Sequence, residues 1–198
     1  MSDIRLPYKF YYWGPLLCKF KVSPEELKQL KKLCKKNKKF DHRKELAGVI
    51  ENEYTINRHA YQRIISPYLQ AYTETIYSGF YGRQLNKLLE VSAVWVNYMK
   101  PGECNPPHIH TNCKFSSSLY IQIPPELKKE QEDYIGRGAG PGAITFNHGY
   151  QSDFTINTIH EWPEEGDFYI FPYNLSHFVA SYKTKKQRIS IAANFNYI

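Results

Sequence analysis

Five residues in the C-terminal half carry side chains whose types and spacing suit chemistry: His108, His110, His177, Arg188 and Ser190. The first two lie in GECNPPHIH, one residue apart and directly after a Gly/Pro turn. In extended backbone, side chains at i and i+2 point to the same side. Two imidazoles so placed can grip one metal ion from one face. His177, in GDFYIFPYNLSHFV, follows a strand pattern ending in Phe171-Pro172, which turns the chain and presents a histidine at a strand mouth. Arg188 and Ser190 share one face of a strand, and a guanidinium beside a hydroxyl is a bidentate clamp for a carboxylate. Singly, a strand histidine is more often packed or surface-exposed than a ligand. It is the five together, in this order, that spell a metal site beside a carboxylate anchor.

These residues need a rigid frame, and from Leu89 onward the apolar period is two, the period of strands. Leu89–Lys100 (LEVSAVWVNYMK) and Ser116–Ile123 read as strands, followed by shorter ones at Gly142–Phe146, Phe154–Ile159, Asp167–Pro172, His177–Tyr182 and Arg188–Phe195. Residues 124–141 read as a charged, Gly/Pro-rich loop, with Lys128–Asp133 as plain solvated surface. Ahead of the β-rich half, Tyr8–Trp13 and Leu17–Val22 read as strands broken by Gly14-Pro15. A helix starts at Ser23 as N-cap, with Pro24 at N1 and Glu26 closing a capping box. Leu27, Leu30, Leu33 and Cys34 form its inward stripe. Residues 38–56 are polar and irregular. A long helical pattern covers Arg58 to Phe80, with Tyr61, Ile64, Ile65, Tyr68, Leu69, Tyr72, Ile76 and Phe80 on one face; Pro67 either kinks it or marks its true start. Short strands after helices, with Gly/Pro turns between them, predict an antiparallel sandwich or barrel with helices packed outside.

The 198 residues fit one domain with a sizeable core. Hydrophobic residues at 42% and charged residues at 23% are ordinary for a globular protein, and aromatics at 16% suit a β-rich fold. The net charge of +7 admits an acidic partner such as nucleic acid, or an anionic substrate. Much of the excess sits in Lys28–Lys39, read as a solvated helix face with a phosphate-contacting patch as the alternative. Four cysteines without framework spacing, no signal-peptide pattern and no apolar run long enough to span a membrane lead to the expectation of a cytoplasmic protein with free thiols.

Residues 89–198 resemble the Fe(II)/2-oxoglutarate-dependent oxygenases, specifically the prolyl-4-hydroxylase-like branch, and among these the small oxygenases encoded by marine phages and bacteria. The matching text is VWVNYMKPGECNPPHIH, SSSLYIQIP, GAITF, EEGDFYIFPYNLSHFV and KKQRISIAANF. The resemblance implies a mostly β fold with N-terminal helices, its core a distorted double-stranded β-helix (jelly-roll or cupin-like) of eight strands. It implies a single oxygenase domain over 1–198, with 1–88 as helical support. It implies Fe2+ and 2-oxoglutarate as cofactors, O2 as co-substrate, and hydroxylation of a peptide, protein or other substrate with release of succinate and CO2. For a phage-encoded enzyme the compartment is the host cytoplasm, and a homodimer is compatible with this reading.

Position by position, the resemblance implies the following. His108 matches the first histidine of the family's His-x-Asp/Glu motif and His177 the distal histidine. Arg188 matches the residue that binds the distal carboxylate of 2-oxoglutarate, Ser190 is its hydroxyl neighbour, and Tyr120 is a further contact to that carboxylate. Asn97 and Met99, on the face of Trp95, and Asn194 are assigned to the substrate pocket. The chain departs from the family at His110, where a carboxylate ligand is usual. A three-histidine site leaves Fe(II) with its full +2 charge; Asp153 and Glu103 are the carboxylates that could swing in instead.

Two rival readings use the same residues. The cupin pattern fits Gly102 to His110, and Gly166, Pro172 and His177, but lacks its Glu and has Asn174 and Ser181 where Gly and Asn belong. A three-histidine cupin dioxygenase, or a small-molecule-binding cupin, leaves Arg188 and Ser190 without a role. Structural zinc on Cys104, His108, His110 and Cys113, in a nucleic-acid-binding protein, leaves His177 and Arg188 unused. The other histidines, His42, His59, His148 and His160, read as surface or satisfied loop residues. GRGAGPG (136–142) lacks the Lys-Ser/Thr of a phosphate loop and reads as a flexible turn or lid.

Overall fold

The alternation that begins at Leu89 divides the molecule into layers. The computed structural model describes residues 14–82 and 87–198; the strand expected at Tyr8–Trp13 lies outside them. The described strands are β1 (Cys18–Lys21), β2 (Glu53–Thr55), β3 (Leu89–Met99), β4 (Asn105–His108), β5 (Phe115–Gln122), β6 (Ile144–Asn147), β7 (Thr158–Glu161), β8 (Asp167–Pro172), β9 (Ser176–Val179) and β10 (Arg188–Tyr197). They form two antiparallel sheets. One has six strands in the order β1-β8-β5-β10-β3-β2, the other four in the order β4-β9-β6-β7. Eight of the strands make the two facing sheets of the expected double-stranded β-helix, and β1 and β2 extend the larger sheet at its edges.

Successive side chains of β10 serve opposite faces. Ile191, Ala193 and Phe195 join a buried cluster with Tyr61, Ile65 and Leu69 of helix α2 (Arg58–Ala71) and Leu30 of helix α1 (Pro24–Leu33). Arg188, Ser190, Ala192 and Asn194 instead line a cavity of about 450 Å³ walled by both sheets. Tyr120, Phe146, Tyr169, Phe171, Leu175 and Val179 form a second buried cluster on the cavity side. One strand thus supplies both the helix-backed core and the cavity wall.

The capping box of α1 is present: Ser23 Oγ accepts from the Glu26 N–H at 3.2 Å, and the Ser23 N–H donates to Glu26 at 2.9 Å. Helix α2 begins at Arg58, where the Asn57 side chain accepts from the Ala60 N–H at 2.9 Å, so Pro67 lies inside the helix and does not start it. The helix runs on through a π-helical turn (Tyr72–Tyr77) into α3 (Ser78–Tyr81). No helix among the described residues is long and apolar enough to cross a membrane.

Three segments depart from the pattern reading. Residues Pro125–Glu132 form helix α4 inside the expected loop; Leu127 is its one buried residue, too few to set up a period. Glu130 of α4 accepts the backbone N–H groups of Lys183 and Thr184 at 2.8 Å each, which ties down the turn before β10. Strand β2 arises in the stretch read as irregular. The strand expected at Phe154–Ile159 is displaced to Thr158–Glu161: Phe154 has φ 60, sits in a turn and is fully exposed, so its alternation with Ile156 is not a buried face.

Edge strand β1 is held by charge as well as by backbone pairing. The buried Asp167 carboxylate takes Lys21 Nζ at 2.9 Å, Lys19 Nζ at 3.1 Å and the Glu164 N–H at 2.9 Å. Burial opposes its charge, but these donors outweigh burial and hold Asp167 below the usual carboxylate range. A folded value below the unfolded one means stabilisation that is present at neutral pH and lost as pH falls through the folded value. Asp167→Asn is expected to cost about 1–2 kcal/mol at pH 7 by chemical denaturation, with the gap to the parent closing in acid. Equal stabilities at pH 7 would show that the charge does not hold β1.

Candidate metal and co-substrate site

The histidines meet because of strand register. Strand β4 is an edge strand, so Pro106 and Pro107 leave no interior ladder position without a donor. His108 on β4 lies directly opposite His177 on β9, with ring centroids 4.3 Å apart. Two residues on, the His110 N–H donates to Tyr173 O at 2.9 Å, and its ring lies 5.2 Å from His177 and 5.3 Å from His108. One candidate ligand nitrogen from each lies within 4.8 Å of the others.

Two of the rings are oriented by the backbone. His108 Nδ1 is 2.7 Å from Pro106 O, and His177 Nδ1 is 2.9 Å from Leu175 O. A carbonyl partner requires N–H at Nδ1, which leaves the Nε2 lone pair as the available ligand. Phe146 and Phe171 wall His177 in. Burial, then the like charge of its neighbours, lowers His110 to about 3 and His177 to about 4; burial also lowers His108. All three are therefore neutral at physiological pH, the state that binds a metal.

Among the described residues no carboxylate joins the cluster. Glu103 accepts from the N–H groups of Glu51 (2.9 Å) and Lys100 (2.6 Å), and Asp153 is exposed in a turn, so neither of the expected substitutes is at the site. Cys104 and Cys113 also stay outside it, and all four cysteines are free thiols. That removes the ligand set of the zinc reading.

Facing the histidines across the cavity is a polar row. Glu53 of β2 pairs with Asn97 of β3, Asn97 with Ser190 of β10, and Ser190 with Tyr120 of β5. All four are buried and line the cavity, as do Trp95 and Asn194. Arg188 is 3% exposed and forms no ion pair among the described residues. Its Nη1 donates to Gly142 O at 2.8 Å and its Nη2 to Met99 Sδ at 2.8 Å, while Nε has no partner among the described residues. Met99 therefore sits behind the guanidinium, not at the cavity wall. The Tyr120 ring lies 5.3 Å from the guanidinium, and among the described residues its buried hydroxyl has no hydrogen-bond partner at ordinary distance, Ser118 being the side chain that bears on it. A buried cation without an anion, beside an orphaned hydroxyl, suits a carboxylate supplied by a ligand.

Glu53, Asn105 and His42 also line the cavity and were not singled out by sequence. His42, expected at the surface, is half-buried with its ring 5.4 Å from Trp95, which in turn lies 6.0 Å from His110.

A family model described as "Putative 2OG-Fe(II) oxygenase" matches residues 93–194, just over half of the chain. The chain belongs to the 2OG-Fe(II) oxygenase family. It is an oxygenase whose cofactors are Fe2+ and 2-oxoglutarate, with O2 as co-substrate. Solved structures similar to this oxygenase include a Pseudomonas putida prolyl-4-hydroxylase, 12% identical, with TM-score 0.56 over 91% of each chain. A Trichoplax adhaerens prolyl hydroxylase in complex with a hypoxia-inducible-factor peptide fragment is 12% identical, with TM-score 0.52 over 91% of this chain and 83% of that one. A viral collagen prolyl hydroxylase from Paramecium bursaria Chlorella virus 1 is 14% identical, with TM-score 0.50 over 90% and 94%. At these identities the likeness establishes the double-stranded β-helix fold of the oxygenase. No curated protein matches it.

Proposed function

We propose that this oxygenase is a hydroxylase acting on a peptide or protein residue, with His108, His110 and His177 holding Fe(II). Arg188, Ser190 and Tyr120 hold the distal carboxylate of 2-oxoglutarate. The observation that carries this reading is Arg188: a buried guanidinium with no anionic partner among the described residues, across one cavity from three neutral imidazoles. When bound, the iron and 2-oxoglutarate supply an O2-dependent oxidation of a C–H bond coupled to decarboxylation to succinate and CO2.

The chain's own residues position and exclude. The carbonyls of Pro106 and Leu175 fix two imidazole tautomers before the metal arrives. The Gly142 carbonyl and Met99 sulfur hold the guanidinium plane by one N–H of each Nη, so Nε, the second N–H of each Nη and the Tyr120 hydroxyl are the donors left for a carboxylate. Phe146, Phe171 and Tyr169 keep water from the His177 side. Three neutral ligands leave the metal's +2 charge uncompensated by the protein, which strengthens its hold on an anionic co-substrate.

Succinate is expected to form from 2-oxoglutarate in the presence of Fe(II) and O2, slowly even without the prime substrate. Failure of the parent protein to bind 2-oxoglutarate by anaerobic calorimetry would overturn the proposal.

A further inference from the structure

Glu53 stands at the far end of the polar row from Tyr120, and the oxygenase reading gives it no task. It is 1% exposed yet lines the cavity, and its Oε2 has no hydrogen-bond partner among the described residues. It forms no ion pair among the described residues. Arg43, the basic group whose charge reaches it, is committed to Asp41 at 2.6 Å. Glu53 is not part of the histidine cluster, so it does not replace the missing metal carboxylate.

Two further acceptors share its situation. Oδ1 of Asn97 and Oδ1 of Asn105 are buried without partners among the described residues, and both residues line the same cavity. A methyl group on Gly48 would stand 3.3 Å from both Glu53 Oε1, the other oxygen of that carboxyl group, and Asn105 Oδ1, so the two side chains meet beside Gly48. Leaving a polar group buried without a partner costs about 1–3 kcal/mol, and three acceptors in one cavity call for a ligand that brings donors. Burial, and then the neighbouring Glu103 carboxylate, push Glu53 up to about 7. An arriving cation would restore its charged form.

Resting on the oxygenase reading above, we propose that Glu53, Asn97 and Asn105 form a substrate subsite for a primary ammonium group. An ammonium carries three donors and one positive charge, matching three orphaned acceptors of which one is a carboxyl group. On a peptide this is a lysine side chain or an N-terminal amine. Glu53 is then a specificity-determining residue: it chooses which substrate enters, while the histidines and Arg188 serve the reaction.

The test uses the full chain under nitrogen, with and without Fe(II) and 2-oxoglutarate. The probes are N-acetyl-lysine amide and its uncharged counterpart N-acetyl-norleucine amide, titrated by calorimetry. The loaded parent is expected to bind the lysine probe at least about tenfold more tightly than the norleucine probe. The isosteric Glu53→Gln is expected to bring the two within twofold. Asn105→Ala is expected to weaken the lysine probe at least threefold and leave the norleucine probe unchanged; it decides the matter if Glu53→Gln does not fold. Equal binding of the probes by the parent, or a preference retained in Glu53→Gln or undiminished in Asn105→Ala, overturns the proposal. Titrating 2-oxoglutarate into the same samples separates the two readings. A lysine preference without 2-oxoglutarate binding overturns the oxygenase assignment and keeps the subsite; the reverse result overturns the subsite alone.

Discussion

His177→Ala is expected to abolish stoichiometric iron and, with it, 2-oxoglutarate turnover. His177 is 5% exposed, sits opposite His108 in register and has its Nδ1 fixed by Leu175 O. Altering such a supporting partner alone costs 10- to 100-fold in metal affinity, so loss of the ligand is expected to cost at least about a hundredfold. Metal analysis after anaerobic reconstitution checks this, and His108→Ala is expected to behave alike. His110 differs, because among the described residues no carbonyl orients its ring, and it follows the end of β4. His110→Asp, which supplies the carboxylate usual in the family, is expected to retain iron and bind it more tightly than the parent. Stoichiometric iron in His177→Ala would show that the metal lies elsewhere.

Arg188→Met is the second large effect, and its two halves carry different signs. Truncating one partner of a buried charged pair costs about 2–5 kcal/mol, so 2-oxoglutarate affinity is expected to fall at least about thirtyfold, with iron content preserved. In the ligand-free protein the guanidinium has no anion among the described residues, and replacing an uncompensated buried charge by an apolar side chain is neutral or stabilising. The midpoint of unfolding without 2-oxoglutarate is therefore expected to stay level or rise. A structural arginine would do the opposite, lowering the midpoint and leaving 2-oxoglutarate affinity alone. Calorimetry and thermal denaturation on the same preparation decide between them.

The parts of the site legible in the sequence are those set by short spacings. His108 and His110, at and just past the end of β4, and Arg188 and Ser190 on β10, are i, i+2 pairs, and the neighbours of the second pair alternate strongly enough to mark the strand. The capping box at Ser23 is equally local. Glu53 was not legible because β2 is three residues long inside a polar stretch, and its burial comes from pairing with Asn97 of a distant strand. Asn105 was missed for a related reason: its place beside Glu53 is set by the bridge between Val49 and Cys104, which no local pattern encodes. Helix α4 buries a single leucine and so leaves no periodic trace.

The two halves of the site belong to different layers. His108 and His177 ride on the four-stranded sheet, while Arg188, Ser190 and Tyr120 ride on the six-stranded one, whose other face is sealed by the helices. A ligand held at both ends is therefore a fastener between layers, added to the packing, the Lys19–Glu161 ion pair and the Tyr169–Glu161 and Arg188–Gly142 hydrogen bonds that already join them. Its binding free energy adds to the cohesion of the sandwich, because the opened form lacks a complete site to bind it. Occupancy and the cohesion of the two sheets are then linked, and a cell poor in iron or 2-oxoglutarate would hold a less stable protein as well as an idle one.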